Sequence, residues 1–217
     1  MKQACETASA LEEHLGRGTA PVPGWTTALN LVAPRRRMPP RSGESSRLLA
    51  AGPDWVANQA PQELAAILEE EQRPGRQAAP LRKLASWWLA QFDSTPPQSA
   101  GRRFLDERAV NQLRKISGIS QELSDRIRLL ALGEPVPPVG RAAVRVGCRH
   151  AWCELESDGE EWQAWIRNWA EVAGVELWQL VGWIDEVGAR WCGPQPQCEG
   201  CPLAGFLPSG GPREPET

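Results

Sequence analysis

The sequence predicts an all-α protein. Three observations carry that prediction. From about residue 48 onward, apolar residues recur at intervals of three or four, the rhythm of amphipathic helices. No stretch shows the sustained alternation expected of strands. Glycine and proline punctuate the helical stretches, at Gly118 and then at Gly133, Pro135, Pro137 and Pro138. The 217 residues suit one compact domain or two small lobes. With 41% hydrophobic and 24% charged residues, the chain can build a buried core, which excludes wholesale disorder.

The elements follow in order. Residues 1–15 place Ala4, Leu11 and Leu15 among charges, a helical pattern. Residues 16–47 carry Pro21, Pro23, Pro34, Pro39 and Pro40 and read as extended or loop-rich, with one short buried element at 28–33. Pro61, favoured in a first helical turn, opens a helix through Leu64, Ile67 and Leu68. Residues 81–92 form the next helix. Its neighbours Trp87 and Trp88 are adjacent, so at most one should point fully inward. Residues 104–116 and 120–132 are two more helices, separated at Gly118, and a further element lies near 141–146. Residues 160–171 and 175–191 complete the series, and 208–217 read as a flexible tail.

The formal net charge of −3 argues at first against a nucleic-acid binder, but the charge is unevenly spread. Residues 16–47 hold six Arg and one Glu, net +5; residues 101–150 hold ten basic and five acidic groups, also net +5. Residues 152–187 hold nine acidic groups and Arg167, net −8. A basic half can grip a phosphate backbone even in a slightly acidic chain. The run Arg35-Arg36-Arg37, with Arg41 and Arg47, fits a phosphate grip or a solvated loop equally well. No apolar run approaches the roughly 20 residues of a membrane span. The first residues are acidic where a signal peptide would be apolar. A cytoplasmic protein with no membrane association is expected.

Two stretches carry chemistry. In Ile116-Ser117-Gly118-Ile119-Ser120 one helix stops and another starts at once. Ser120 can cap the new helix, and the exposed N–H groups of such a turn form an anion site. Near the end, Cys192, Cys198 and Cys201 have ligand spacing for an iron–sulfur cluster or zinc, a site that needs four ligands. No cysteine follows Cys201, so a fourth ligand has to come from Cys148, Cys153, His14 or His150. Trp162, Trp165 and Trp169 recur on one helical face amid acidic residues, which reads as core rather than a base-stacking platform.

Together these stretches resemble the endonuclease III family of DNA glycosylases, in the helix–hairpin–helix superfamily. The family's hairpin reads Leu-Pro-Gly-Val-Gly, and residues 116–120 fall on it. Val139-Gly140-Arg141 falls on its Val-Asp-Thr segment. Pro196, Pro202 and Leu203 match details of its Cys-rich end, and Gln72-Arg73-Pro74-Gly75 matches its Arg-Pro-x-Gly turn. The resemblance covers roughly residues 60–207 and implies an all-α, two-lobed fold with a degenerate iron–sulfur loop. It implies a helical lobe at 48–146, C-terminal helices and Cys-rich loop at 147–207, and an N-terminal segment, 1–47, joining the second lobe.

The departures fall on the chemistry. The ungapped match puts Glu122 where bifunctional members carry a nucleophilic Lys, and Gly140 where the family carries its Asp. The fourth cluster Cys matches Leu207. The resemblance therefore implies weak or non-specific binding of double-stranded DNA through Gly118, Ile119, Ser120, Arg126 and Arg141, with catalysis impaired and no [4Fe-4S] cluster unless another ligand is supplied. Two alternatives stay open. One is an active glycosylase or lyase on an unusual base, using displaced carboxylates among Glu122, Asp125 and Glu134. The other is a protein-interaction module, of unknown partner, that has lost DNA binding.

Overall fold

A computed structural model of the protein describes residues 2–35, 47–92, 104–154 and 157–213. The described residues form helices and short turns, with no strand. The helices are α1 (Lys2–Leu15), α2 (Trp25–Val32), α3 (Arg47–Ala50), α4 (Pro53–Asn58), α5 (Pro61–Glu70), α6 (Ala78–Phe92), α7 (Glu107–Arg114), α8 (Gln121–Arg126), α9 (Arg141–Arg149), α10 (Gly159–Ala173) and α11 (Leu177–Arg190). A π-helical turn, Ile127–Ala131, continues α8, and the chain leaves it through Gly133 at φ 72°. None of these helices is long and apolar enough to cross a membrane.

The chain forms two compact units. The hairpin unit is Pro21–Glu134, and the terminal unit joins Met1–Ala20 to Pro135–Thr217. These limits differ from those drawn on the sequence at residues 47 and 146. The segment 21–35, grouped there with the C-terminal helices, packs in the hairpin unit. The cause is apolar: Trp25, Ala28, Leu29 and Val32 present one face of α2, and all four are buried in that unit's core.

In the hairpin unit, α6 is the central element. It packs against α4, α5, α2 and α7. A helix surrounded in this way buries more than one face, and both Trp87 and Trp88 are inside, at 7% and 2% exposed. The expectation that only one points inward fails for that reason. The Trp87 indole N–H donates to the Ala109 carbonyl at 3.1 Å, so its polar atom is satisfied. Leu64, Leu68, Leu81, Leu84 and Leu113 are fully buried around it. Each contributes about 1.5–3 kcal/mol.

The Arg-Pro-x-Gly turn is fixed by a buried cation. The Arg73 guanidinium, 2% exposed, donates to the Ala33 carbonyl and, at 2.9 Å, to Asn30 Oδ1 at the end of α2. Glu71 stands 3.7 Å from it and also receives Arg35 at 3.4 Å. Burial, with Arg35 nearby, pushes the Arg73 pKa down, and Glu71 opposes that shift. Arg35 is thus engaged within the fold. Arg36, Arg37 and Arg41 lie outside the described residues.

In the terminal unit, α9 and α11 approach closely through small residues. A Cβ on Gly188 would stand 2.5 Å from the Ala142 Cβ. Asp158 opens α10 with a capping box shared with Glu161, and Gly174 closes it in the left-handed conformation. Of the Trp stripe on α10, Trp162 and Trp169 are buried and Trp165 is partly so. The indole N–H groups of Trp169 and Trp183 reach α1 and its end, donating to the carbonyls of Ala4 at 3.2 Å and Gly16 at 2.8 Å. The start of the expected tail is tied down. The Arg213 N–H donates to the Arg149 carbonyl at 3.1 Å.

Candidate functional site

The hairpin forms as its sequence specifies. Asp106 caps α7 by accepting the Ala109 N–H at 2.7 Å, and Ser120 caps α8 by accepting the Leu123 N–H at 3.1 Å. Between them Gly118 sits at φ 92°, a conformation that favours glycine. A Cβ there would also stand 2.6 Å from Pro80 Cγ on α6. Ile116 and Ile119 point into the core, while Ser117, Gly118 and Ser120 are exposed. Of the expected backbone contacts to phosphate, Ile119 is already committed, its N–H donating to Ile116 O at 3.0 Å. Gly118 and Ser120 remain on the surface.

The charged candidates are less open than the sequence suggested. Arg126 donates through Nε and Nη2 to Glu122 Oε1, at 3.1 and 2.9 Å, one helical turn away. The carboxylate that the resemblance puts at the nucleophile position is therefore paired with the arginine expected to hold DNA. Gly140 is the N-cap of α9 in the terminal unit and provides no side-chain cap. Arg141 follows it, exposed. A cation in a first helical turn opposes the helix dipole, and an external anion would relieve that opposition.

The displaced carboxylates are held inside the hairpin unit. Asp125 is 1% and Glu134 0% exposed. Asp125 accepts from Arg114 at 3.3 Å and from Arg128 at 3.4 Å. Glu134 accepts from Arg128 at 2.8 Å and from the Leu105 N–H at 2.8 Å. Burial raises the Asp125 pKa, against the opposing pull of the two arginines. Side chains enclosed and paired in this way brace the π turn and the start of α7.

The Cys-rich loop follows α11. Cys192, Cys198 and Cys201 line one small cavity of about 10 Å3 with His150, Arg149 and Leu207, room for about one water molecule. The structure thus brings His150 to the cysteines, but both ring nitrogens face carbonyls, Nδ1 to Val146 at 2.8 Å and Nε2 to Leu203 at 3.2 Å. Burial lowers the His150 pKa. Burial, with Cys192 and Cys198 adding to it, raises that of the Cys201 thiol. Leu207 offers no donor. Among the described residues no group of three or more Cys, His, Asp or Glu side chains is arranged to hold a metal ion. As arranged, this set does not fit a four-thiolate cluster.

Two arginines that the sequence reading passed over hold the loop. Arg149, 2% exposed, donates from Nη1 to the Gly193 carbonyl at 2.6 Å and from Nη2 to the Pro194 carbonyl at 2.8 Å, with Cys192 Sγ 3.4 Å from Nη1. Arg145, one turn earlier on α9, donates to the carbonyls of Cys192 at 2.8 Å and Gly188 at 3.4 Å. Their four-residue spacing was the available signal. It puts both on one helix face.

An all-α chain with a capped hairpin, a following helix and a C-terminal Cys loop has the fold of the endonuclease III-like DNA glycosylases. Among solved structures it is similar to endonuclease III in a trapped covalent intermediate with DNA, an estranged-adenine complex, at 15% identity over 96% of this chain and 95% of that one, TM-score 0.60. A non-covalent endonuclease III–DNA complex matches at 17% identity over 95% and 82% of the two chains, TM-score 0.51. A thermostable thymine-DNA glycosylase matches at 18% identity over 72% and 68%, TM-score 0.51. No protein-family model and no curated protein matches the sequence.

Proposed function

We propose that the protein is a divergent, endonuclease III-like DNA-binding protein whose glycosylase and lyase chemistry is impaired and whose Cys loop stands without a cluster. The observation that carries the reading is the contrast within the chain between an intact hairpin and the residues at the catalytic positions. Gly118 and Ser120 keep the exposed, capped turn that receives a phosphate. Glu122 carries a charge of the wrong sign for a nucleophilic amine and is paired with Arg126. Gly140 has no carboxylate to stabilise a cationic sugar or activate water. Asp125 and Glu134 are buried against arginines and do not reach solvent as replacements. Similarity to endonuclease III bound to DNA adds support for the ligand. The hairpin contact is to backbone, so binding is weak and sequence-independent.

The test is a panel of lesion-bearing duplexes, each assayed for binding at several salt concentrations, for base release and for strand cleavage. Salt-dependent binding with no release and no cleavage is expected. Base release that disappears when one acidic residue is changed would overturn the reading. So would the absence of binding at low salt. In the double variant Glu122→Lys/Gly140→Asp, the family's two groups return to their sequence positions. Any lyase activity gained there would identify those two losses as the cause of the impairment.

A further inference from the structure

Within the Cys-rich loop, Cys198-Glu199-Gly200-Cys201 closes a β-turn, and the Cys201 N–H donates to the Cys198 carbonyl at 3.1 Å. Gly200, third in the turn, holds φ 75°, as a type II turn requires there. Such a turn brings its first and fourth Cα atoms within about 7 Å. A disulfide spans roughly 4.4–6.8 Å between Cα atoms. The backbone therefore sets these two cysteines at disulfide reach. Their side chains also converge, since both line the small cavity beside His150. Both are free thiols and partly exposed, so a small reagent has access to them.

The other cysteines are placed differently. Cys192 lines the same cavity but is buried, with the Arg149 guanidinium 3.4 Å from its sulfur. Cys5 lies on α1, Cys148 on α9 and Cys153 after it, and none of the three lines the cavity.

We infer that Cys198 and Cys201 form a redox-active dithiol, oxidised to an intramolecular disulfide by small disulfide compounds of the glutathione type. The inference rests on the cluster-free reading of the loop, because a cluster would claim both sulfurs. One thiolate of the pair attacks a sulfur of glutathione disulfide. The glutathione S–S bond breaks, a mixed disulfide forms on the protein, and one glutathione leaves as its thiolate. The second cysteine then attacks the protein sulfur of the mixed disulfide. The Cys198–Cys201 bond forms and the second glutathione leaves. Two electrons pass from the protein to glutathione, and the two thiol protons end on the two released glutathiones. Arg149 and Arg145 bond to the carbonyls of Gly188, Cys192, Gly193 and Pro194, outside the turn, so their grip is compatible with both states.

The test is oxidation of the full chain with glutathione disulfide, followed by alkylation in denaturant and mass analysis of the tryptic fragment 191–213, which carries Cys192, Cys198 and Cys201. Iron and sulfide are assayed on the same sample. The reduced fragment takes an alkyl group on each cysteine. After oxidation it is expected to take one on Cys192 alone, with no glutathione attached, and dithiothreitol should restore the other two. Cys201→Ser removes the second step, so a glutathione adduct is expected to persist on Cys198. Cys198→Ser should leave the adduct on Cys201 in the same way. Cys192→Ser should still form the disulfide, and if it does not fold, the two turn variants decide. Full alkylation after oxidation, or a disulfide that includes Cys192, in an iron-free protein would overturn the inference and leave the cluster-free reading standing. A brown protein with bound iron and sulfide would overturn both.

Discussion

The two units differ in charge and in how they are fastened. The hairpin unit has a net charge of +4, and the terminal unit −7. The hairpin unit is built on a continuous apolar core from Trp25 to Leu132, with its buried charges paired to one another. The terminal unit holds seven of the eleven tryptophans and secures its last loop through guanidinium-to-carbonyl bonds. The comparison teaches that divergence fell unevenly. The hairpin turn keeps the capped, left-handed geometry that the resemblance implies. At 122, 140 and 207 the side chains differ from the family pattern, and the Cys loop is held by Arg149 and Arg145.

The sharpest way to break this contrast is Arg149→Ala. It removes a buried cation and its bonds to the Gly193 and Pro194 carbonyls. A loss of about 3 kcal/mol in unfolding free energy is expected, measured by denaturant titration. Arg149→Lys should recover little, because an ammonium lacks the planar fork. A negligible effect, with a brown protein, would mean that a cluster holds the loop. Gly118→Ala comes next. The left-handed φ and the 2.6 Å approach to Pro80 Cγ predict about 2 kcal/mol of destabilisation, with reduced DNA retention.

His150 gives a pH dependence confined to the terminal unit. Its folded pKa lies below the ordinary 6.5, so the unfolded chain binds the proton more readily. Its stabilising contribution is therefore full above that value and is lost as the pH falls below it. Melting curves of His150→Gln should be flatter over that window than those of the wild type. The smallest effect is expected from Glu122→Gln, which removes one negative charge beside the hairpin and weakens the Glu122–Arg126 pair. Stability should change by about 0.5 kcal/mol or less. DNA binding should tighten modestly, with its log–log salt slope steeper by about one.

The legibility of this chain followed the kind of information involved. Ser120, Gly118 and Pro61 act through local backbone preference, and their turns and caps stand where the sequence put them. The helix limits moved by a few residues, since capping side chains such as Asp106 and Asp158 were not used to set them. The proline count of residues 16–47 shortened α2 to a buried element at 28–33, and the helix's start at Trp25 becomes visible only with its partners α6 and the π turn. Trp87 and Trp88 were misjudged because a single amphipathic face was assumed for a helix enclosed on several sides. At the candidate site, the substitutions at 122, 140 and 207 were readable one by one. The pairing of Glu122 with Arg126 lay one helical turn away and was still missed. The grip of Arg149 on residues 193 and 194 is a long-range contact that spacing alone does not reveal.

If the Cys loop carries no cluster, as proposed, that grip bears on how the terminal unit comes into being. A loop closed around an inorganic cluster matures only when iron and sulfide are delivered to it, and it can be undone by an oxidant that strips them out. A loop closed by Arg149 and Arg145 receives its fastener with the polypeptide itself. On the proposed cluster-free reading, such a loop would be complete at the moment of folding, call on no assembly machinery, and keep its shape through swings in iron supply or oxygen exposure.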